Sequence, residues 1–163
     1  MGLGDFSRPT LTIRGQTSPS YIMTYSEVLF IRAEAAQRGW IAGDAKALYE
    51  AAITASMQQW GVAAADIAAY LAKPSVVYNP AIGLKQIAYE KWVSLFNLEN
   101  EAYAEWRRLD YPVLKPGPNA ITSTVPTRLP YPAIETSLNN ANLTAASTAQ
   151  GNVDIGGKVW WDK

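Results

Sequence analysis

Histidine and cysteine are both missing from this 163-residue chain. Their absence excludes Ser-His-Asp and Cys-His catalysis, the usual zinc ligand sets, c-type haem and iron–sulfur sites. It also excludes disulfides, so cysteine usage says nothing about the redox compartment. Net charge is missing too: 14 Lys and Arg stand against 14 Asp and Glu. Phosphate contacts need a basic excess or a basic face, so a nucleic-acid partner is not expected. No apolar run approaches the ~18 residues of a membrane span. The start, Met1-Gly2-Leu3-Gly4-Asp5-Phe6, lacks the basic opening and apolar core of a signal peptide. Ser7 is off the myristoylation spacing. No metal spacing and no phosphate loop are present, so neither a metal nor a cofactor is expected.

What is present is a chain long enough for one domain with a real core. Its apolar fraction of 48% is ordinary for a globular protein, which argues against disorder over most of its length. Residues 1–23 read as an extended lead-in, in which the alternation of Thr10-Leu11-Thr12-Ile13-Arg14 suits a short edge strand. Thr24 and Glu27 have capping-box spacing and open a helix. That helix is apolar nearly all round (Val28, Leu29, Phe30, Ile31, Ala33, Ala35, Ala36), so it is expected to be mostly buried. Glu34 and Arg38 form an i,i+4 pair on its polar side, and Gly39 stops it. Asp44 caps the next helix. Along it Ala45, Leu48, Tyr49, Ala52, Ile53, Ser56, Met57 and Trp60 form one apolar stripe. The short Trp40–Gly43 loop makes the two helices antiparallel.

A shorter helix is expected about 63–72, and Asn79-Pro80 opens a fourth with proline at its first position. The fourth carries Ile82, Leu84, Ile87, Ala88, Lys91, Trp92, Leu95 and Phe96. After a break near Asn97 a fifth spans about 99–109. Residues 111–130 hold five prolines and form a long loop. Short helices are expected about 132–138 and 140–149. The fold class is therefore all-α.

Tryptophan and tyrosine are plentiful, and aromatic faces stack on sugar rings while nearby polar groups bind hydroxyls. Tyr49, Trp60, Trp92 and Trp106 sit at core spacing on helices and read as packing. Trp40, Tyr78 and Tyr111 lie in turns and are the candidate ligand-binding residues. Trp160-Trp161 reads as an anchor for the chain end. Glu101 and Glu105, at i,i+4, are the one glycosidase-like carboxylate pair. Two glutamates on an exposed helix face, with Arg108 able to pair with either, are the commoner arrangement, so no catalytic residue is assigned. Asn139, Asn140 and Asn142 read as caps around Leu138 rather than as sugar ligands. Arg128 reads as pairing with Glu135 or binding a carbonyl.

Ala35, Gly39, Ala45, Tyr49, Ala52 and Ile53 match the small-residue and tyrosine positions of a tetratricopeptide-like unit, whose single copy cannot bury its faces alone. Four longer stretches resemble the SusD/RagB-like family in order and spacing: Pro19–Ala36, Ile87–Phe96, Ala102–Arg108 and Arg128–Asn142. The resemblance implies a helical surface lipoprotein of Gram-negative outer membranes that binds glycans or other nutrients and sits as a lid on a TonB-dependent transporter. Family members are longer, begin with a lipoprotein signal and a lipidated cysteine, and carry further helical repeats.

The expectation is therefore the C-terminal part of such a protein. Its helical hairpin lies about 24–60, its helices about 80–109, its loop at 111–130 and its closing segment at 131–163. This part acts mainly as scaffold and interface and is not an enzyme. The parent is expected at the cell surface, with a glycan or other nutrient and a TonB-dependent transporter as partners. Apolar surface on the outer face of the first two helices suits self-association. The alternative is a stand-alone tetratricopeptide-like adaptor that binds a peptide or protein partner. The closing segment reads as a clasp over the helices.

Overall fold

A computed structural model describes residues 8–151 and 154–162. Among these the chain is helical, with no strand: α1 Leu11–Arg14, α2 Tyr25–Gln37, α3 Ala45–Gln59, α4 Ala64–Leu71, α5 Gly83–Ser94, α6 Glu99–Leu109, α7 Ala133–Leu138 and α8 Asn140–Gln150. A 3-10 turn, Pro80–Ile82, leads into α5. The all-α expectation holds. The edge strand expected at Thr10–Arg14 does not: Leu11–Arg14 is one helical turn, closed by the Gly15 N–H on the Leu11 carbonyl at 2.8 Å. Five alternating residues specify too little to choose strand over turn when no neighbouring strand offers a ladder.

The caps form where the sequence places them. Thr24 Oγ1 accepts the Glu27 N–H at 3.2 Å, and Asp44 Oδ1 accepts those of Lys46 and Ala47 at 2.8 and 3.2 Å. Asn79 Oδ1 accepts the Ala81 N–H at 3.0 Å, with Pro80 first in the turn. Both helices of the hairpin end in a left-handed glycine. At Gly39 (φ 72°) the Trp40 N–H reaches back to the Ala35 carbonyl at 2.9 Å. At Gly61 (φ 74°) the Val62 N–H reaches the Met57 carbonyl at 3.1 Å. Each glycine adopts a backbone that a Cβ would strain, and each closure satisfies two orphan carbonyls.

The α2–α3 hairpin is the centre of the fold, and α5 packs across it. Leu29, Phe30 and Ala33 of α2 meet Tyr49, Ala52 and Ile53 of α3, with Val76 and Ile87 closing the core. The Tyr49 hydroxyl donates to the Val76 carbonyl at 3.0 Å, so a fully buried tyrosine has its polar end satisfied. The expectation of a mostly buried α2 holds on the side that faces the core; Tyr25, Val28 and Ile31 are exposed, because α3 and α5 cover only one side of the helix.

Polar groups tie α6 to this core. Arg108 of α6 donates to both oxygens of Glu34 on α2 and to Glu105 on its own helix. Arg38 holds Glu34 from the other side at 2.8 Å, and Lys91 of α5 holds Glu105 at 2.7 Å. Burial pushes the Glu34 carboxyl up, but the hydrogen bonds and charges of Arg108 and Arg38 outweigh it and keep it below the ordinary 4.5. Glu105 is therefore turned inward into an ion network rather than standing beside Glu101 on an exposed face, which removes the carboxylate-pair arrangement.

The chain end is strapped over α6. The Arg107 guanidinium lies between Tyr103 and Trp161, 4.2 and 4.8 Å from their rings, and donates to the Thr127 carbonyl at 3.1 Å. The Thr127 N–H and hydroxyl meet the carbonyls of Ile155 and Gly157, each at 2.9 Å. Lys158 reaches Asp110 at 2.7 Å. So the clasp uses 124–128 and 155–162, whereas α7 and α8 pack on each other and stay exposed. Trp161 anchors the end. Trp160 does not, being 80% exposed; Lys163 lies outside the described residues. Asn139 donates to Glu135 at 2.9 Å and Asn142 to Asn139 at 2.6 Å, side chain to side chain. Asn139 stands at the junction of α7 and α8, but its side chain caps no backbone N–H there, contrary to the expectation. Arg128 binds the Leu129 carbonyl at 3.3 Å and lies over Tyr131, not on Glu135.

Arg108→Ala is expected to destabilise the fold by about 2 kcal/mol. That is less than the ~3–5 kcal/mol for breaking a fully buried pair, because Arg38 and Lys91 still hold the two glutamates. Glu34 is depressed when folded, so its contribution is present above the unfolded carboxylate value and lost as pH falls through the folded one. Denaturant titrations should show stability falling below about pH 4.5 in the native chain and a shallower fall in the variant.

Candidate functional site

One face of α5 and the turn before it presents Ile82, Lys85, Gln86, Tyr89 and Glu90, at i, i+3, i+4, i+7 and i+8. That spacing points all five side chains the same way. Facing them are Tyr70 at the end of α4 and the segment Lys73, Ser75 and Val76 that follows it. Tyr49 of α3 closes the bottom. Together they enclose a cleft of about 440 Å³. Its floor is buried: Tyr49 at 1% exposure, Val76 at 4% and Glu90 at 8%. Its rim is open, with Tyr89 half exposed and Lys73 and Lys85 exposed.

The cleft holds its shape through backbone and side-chain bonds around it. Gln86 donates to the carbonyls of Val77 and Ser75 at 2.9 and 3.4 Å and accepts the Asn79 N–H at 2.8 Å. This pins the 75–79 segment to α5. The Tyr70 hydroxyl donates to both oxygens of Glu90, at 3.1 and 3.2 Å. Burial and the adjacent Glu90 push the Tyr70 hydroxyl up to about 12, so it remains a donor. Burial also raises the Glu90 carboxyl above its ordinary value, and the Tyr70 bond offsets this only in part. Among the described residues no cation pairs with Glu90, and neither Lys73 nor Lys85 has a carboxylate partner. The Lys73 ammonium instead lies 4.9 Å from the Tyr70 ring and that of Lys85 5.5 Å from the Tyr111 ring.

The three residues singled out from the sequence fall in different places. Trp40 stands 71% exposed at the tip of the α2–α3 hairpin, with the Arg38 guanidinium 5.1 Å from its ring. Tyr78 packs against Tyr49, with centroids 5.3 Å apart and ring planes tilted by 49°, and its hydroxyl donates to Gln37 of α2. Tyr111 follows α6, half-buried and linked to the cleft rim through Lys85. The structure therefore does not bring these three together. The cleft residues Tyr70, Lys73, Lys85, Tyr89 and Glu90 were not singled out. The signal that could have found them is a face of α5 that is mixed polar and aromatic, beside the apolar face that packs.

A second, larger groove of about 670 Å³ opens where α3, α5 and α6 meet. Trp60, Trp92, Phe96, Met57, Val93 and Leu95 dominate it. Trp60 is held edge-on between Tyr21 and Phe96, at 6.3 and 5.6 Å. It has almost no inward polar groups, and small-molecule sites need a few to orient their ligand. No group of three or more Asp and Glu that could hold a metal lies among the described residues, and no described helix is long and apolar enough to cross a membrane.

Residues 3–132 match the family model of SusD-like proteins, described as starch-binding and associating with the outer membrane. The chain belongs to that family. It is 35% identical to a SusD-like protein of Bacteroidetes AC2a, with a TM-score of 0.78, over 89% of this chain and 31% of that one. It is 39% identical to a chitin-binding protein, with a TM-score of 0.67, over 85% of this chain and 32% of the other. A chitin-binding SusD homolog from Flavobacterium johnsoniae is 30% identical at a TM-score of 0.67, over 88% and 36%. The chain thus spans about a third of the length of these solved relatives. No curated protein matches it.

Because the Glu90 carboxyl is raised when folded, its ionisation opposes folding. The sign is the reverse of Glu34: stability is full below the unfolded value and declines as pH rises through the folded one. Glu90→Gln, which keeps the shape and removes the charge, is expected to raise the thermal midpoint at neutral pH and leave it little changed in acid. Calorimetry at the two pH values checks this.

Proposed function

We propose that this chain serves in a glycan-binding protein at the outer-membrane surface, and that it contributes both helical scaffold and a sugar contact. The observation that carries the reading is the cleft between α4 and α5. In a chain of a family described as starch-binding, it combines tyrosine faces with a carboxylate and two ammonium groups that have no ion-pair partner among the described residues. Tyr70 and Tyr89 supply surface for the C–H face of a sugar ring. Glu90 can accept from hydroxyls with the lone pairs that Tyr70 leaves free, and Lys73 and Lys85 can donate. Tyr111, next to Lys85, extends the aromatic surface at the rim. Trp40 is a separate exposed ring, and Tyr78 is part-buried against Tyr49.

The large groove of Trp60, Trp92 and Phe96 is read differently, as packing surface. Its apolar character suits further protein rather than a hydrated sugar. A TonB-dependent transporter is the partner in this reading.

Isothermal titration of the chain with chito-, malto- and uronate oligosaccharides tests it. At least one is expected to bind, and Tyr89→Ala is expected to weaken that binding about tenfold or more by removing an aromatic stack. If none of the three classes binds, the reading of the cleft as a sugar contact is wrong.

A further inference from the structure

The charges around the cleft are segregated. One carboxylate, Glu90, sits at the buried floor, and two ammonium groups, Lys73 and Lys85, sit at the exposed rim. None of the three has an ion-pair partner among the described residues. An ion pair between floor and rim would have cancelled them; the Tyr70 ring and hydroxyl stand between instead, with the ring toward Lys73 and the hydroxyl toward Glu90.

A neutral sugar would use the floor but leave the two rim charges uncompensated. An amine-bearing sugar would suit Glu90 and the tyrosine walls but would have to pass the two ammonium groups at the rim, whose like charges repel it. A sugar with hydroxyls on one edge and an anion on the other uses every group present. Vicinal hydroxyls reach Glu90 at the floor, the ring lies along Tyr70 and Tyr89, and the anion meets Lys73 and Lys85.

We infer that the α4–α5 cleft is a subsite for one acidic sugar residue, whose anionic substituent, a carboxylate or a sulfate ester, is held by Lys73 and Lys85. The volume of about 440 Å³ lies near the lower end of small-molecule sites, which run from ~300 to 1,000 Å³. It therefore admits a ring or two of a chain rather than a long run. The lysines act as point charges without a fixed fork, so they select for negative charge more than for the geometry of the anion. This inference rests on the reading of the cleft as a sugar contact and names the class of sugar it selects.

The test uses the 163-residue chain and four probes in calorimetric titration: a uronate trisaccharide, its methyl ester, a sulfated trisaccharide and its unsulfated parent. The charged member of at least one pair is expected to bind about tenfold more tightly than its neutral partner, the value of one or two charge-assisted contacts near the surface. The preference should weaken as salt is raised. Which pair shows it separates carboxylate from sulfate. Lys73→Ala with Lys85→Ala should abolish the preference, so that the charged probe binds no more tightly than its neutral partner. Both lysines are exposed, so the double variant is expected to melt at the native temperature, and a melt confirms that the fold is intact. Glu90→Gln should weaken charged and neutral probes alike. If charged and neutral partners bind equally, or the double variant keeps the preference, the inference is overturned and the broader sugar-contact reading stands. If no saccharide binds at all, both fail.

Discussion

Arg108 is the joint on which the arrangement depends. It sits on α6, yet its guanidinium closes on Glu34 of α2 and on Glu105, which in turn holds Lys91 of α5. The neighbouring helices α5 and α6 and the sequence-distant α2 are thereby fixed by one connected set of charges. Lys91 is 4% exposed, a position that an ammonium occupies only when paired. Its bond to Glu105 fixes the rotation of α5 about its own axis, and that rotation aims the neighbouring residues. With Lys91 turned to α6, Tyr89 and Glu90 turn away from it, toward α4. The cleft is therefore a consequence of the ion network as much as of the apolar core.

Glu34 and Glu90 make the same point from opposite sides. Both are buried glutamates on helices of the same core. Glu34 receives two guanidinium groups and is held below the ordinary carboxylate value; Glu90 receives one tyrosine hydroxyl and is pushed above it. Burial acts on both in the same direction, so the partners decide the sign. A satisfied carboxylate stabilises the fold. One left without a cation is a cost that the core tolerates, and such costs concentrate at sites that bind something.

The elements of the fold were largely legible in the sequence because they are set locally. Thr24, Asp44 and Asn79 cap, Gly39 and Gly61 stop, and the Tyr49–Ala52–Ile53 stripe packs, all within a turn or two of chain. What failed depended on neighbours far away in sequence. Thr10–Arg14 alternates like a strand but has no strand to pair with. Val28 and Ile31 look like core residues, but α2 has partners on one side only. Glu105 reads as exposed until Arg108 and Lys91 are seen to converge on it. The site was the least legible part. Trp40, Tyr78 and Tyr111 were selected because they lie in turns, where exposure is common. The cleft proposed as a sugar contact lies on a helix face whose polar and aromatic residues look, in one dimension, like an ordinary solvated surface. Its meaning comes from Tyr70 and Lys73 lying opposite, and no local pattern encodes that.

The two concavities separate by the same physics. In the groove of Trp60, Trp92 and Phe96, water touches apolar surface and gains little by staying, so a protein surface that displaces it is favoured by burial alone. In the α4–α5 cleft, water solvates one carboxylate and two ammonium groups, and any ligand that displaces it must replace those interactions or lose affinity. A purely apolar surface cannot do that. A polyhydroxylated ring can at the floor, but the rim demands charge. The demand is one-sided, because two cations at the rim face one anion at the floor, whose charge burial disfavours. Selectivity in this cleft therefore follows from which polar groups the ligand must replace, more than from the shape of the cavity.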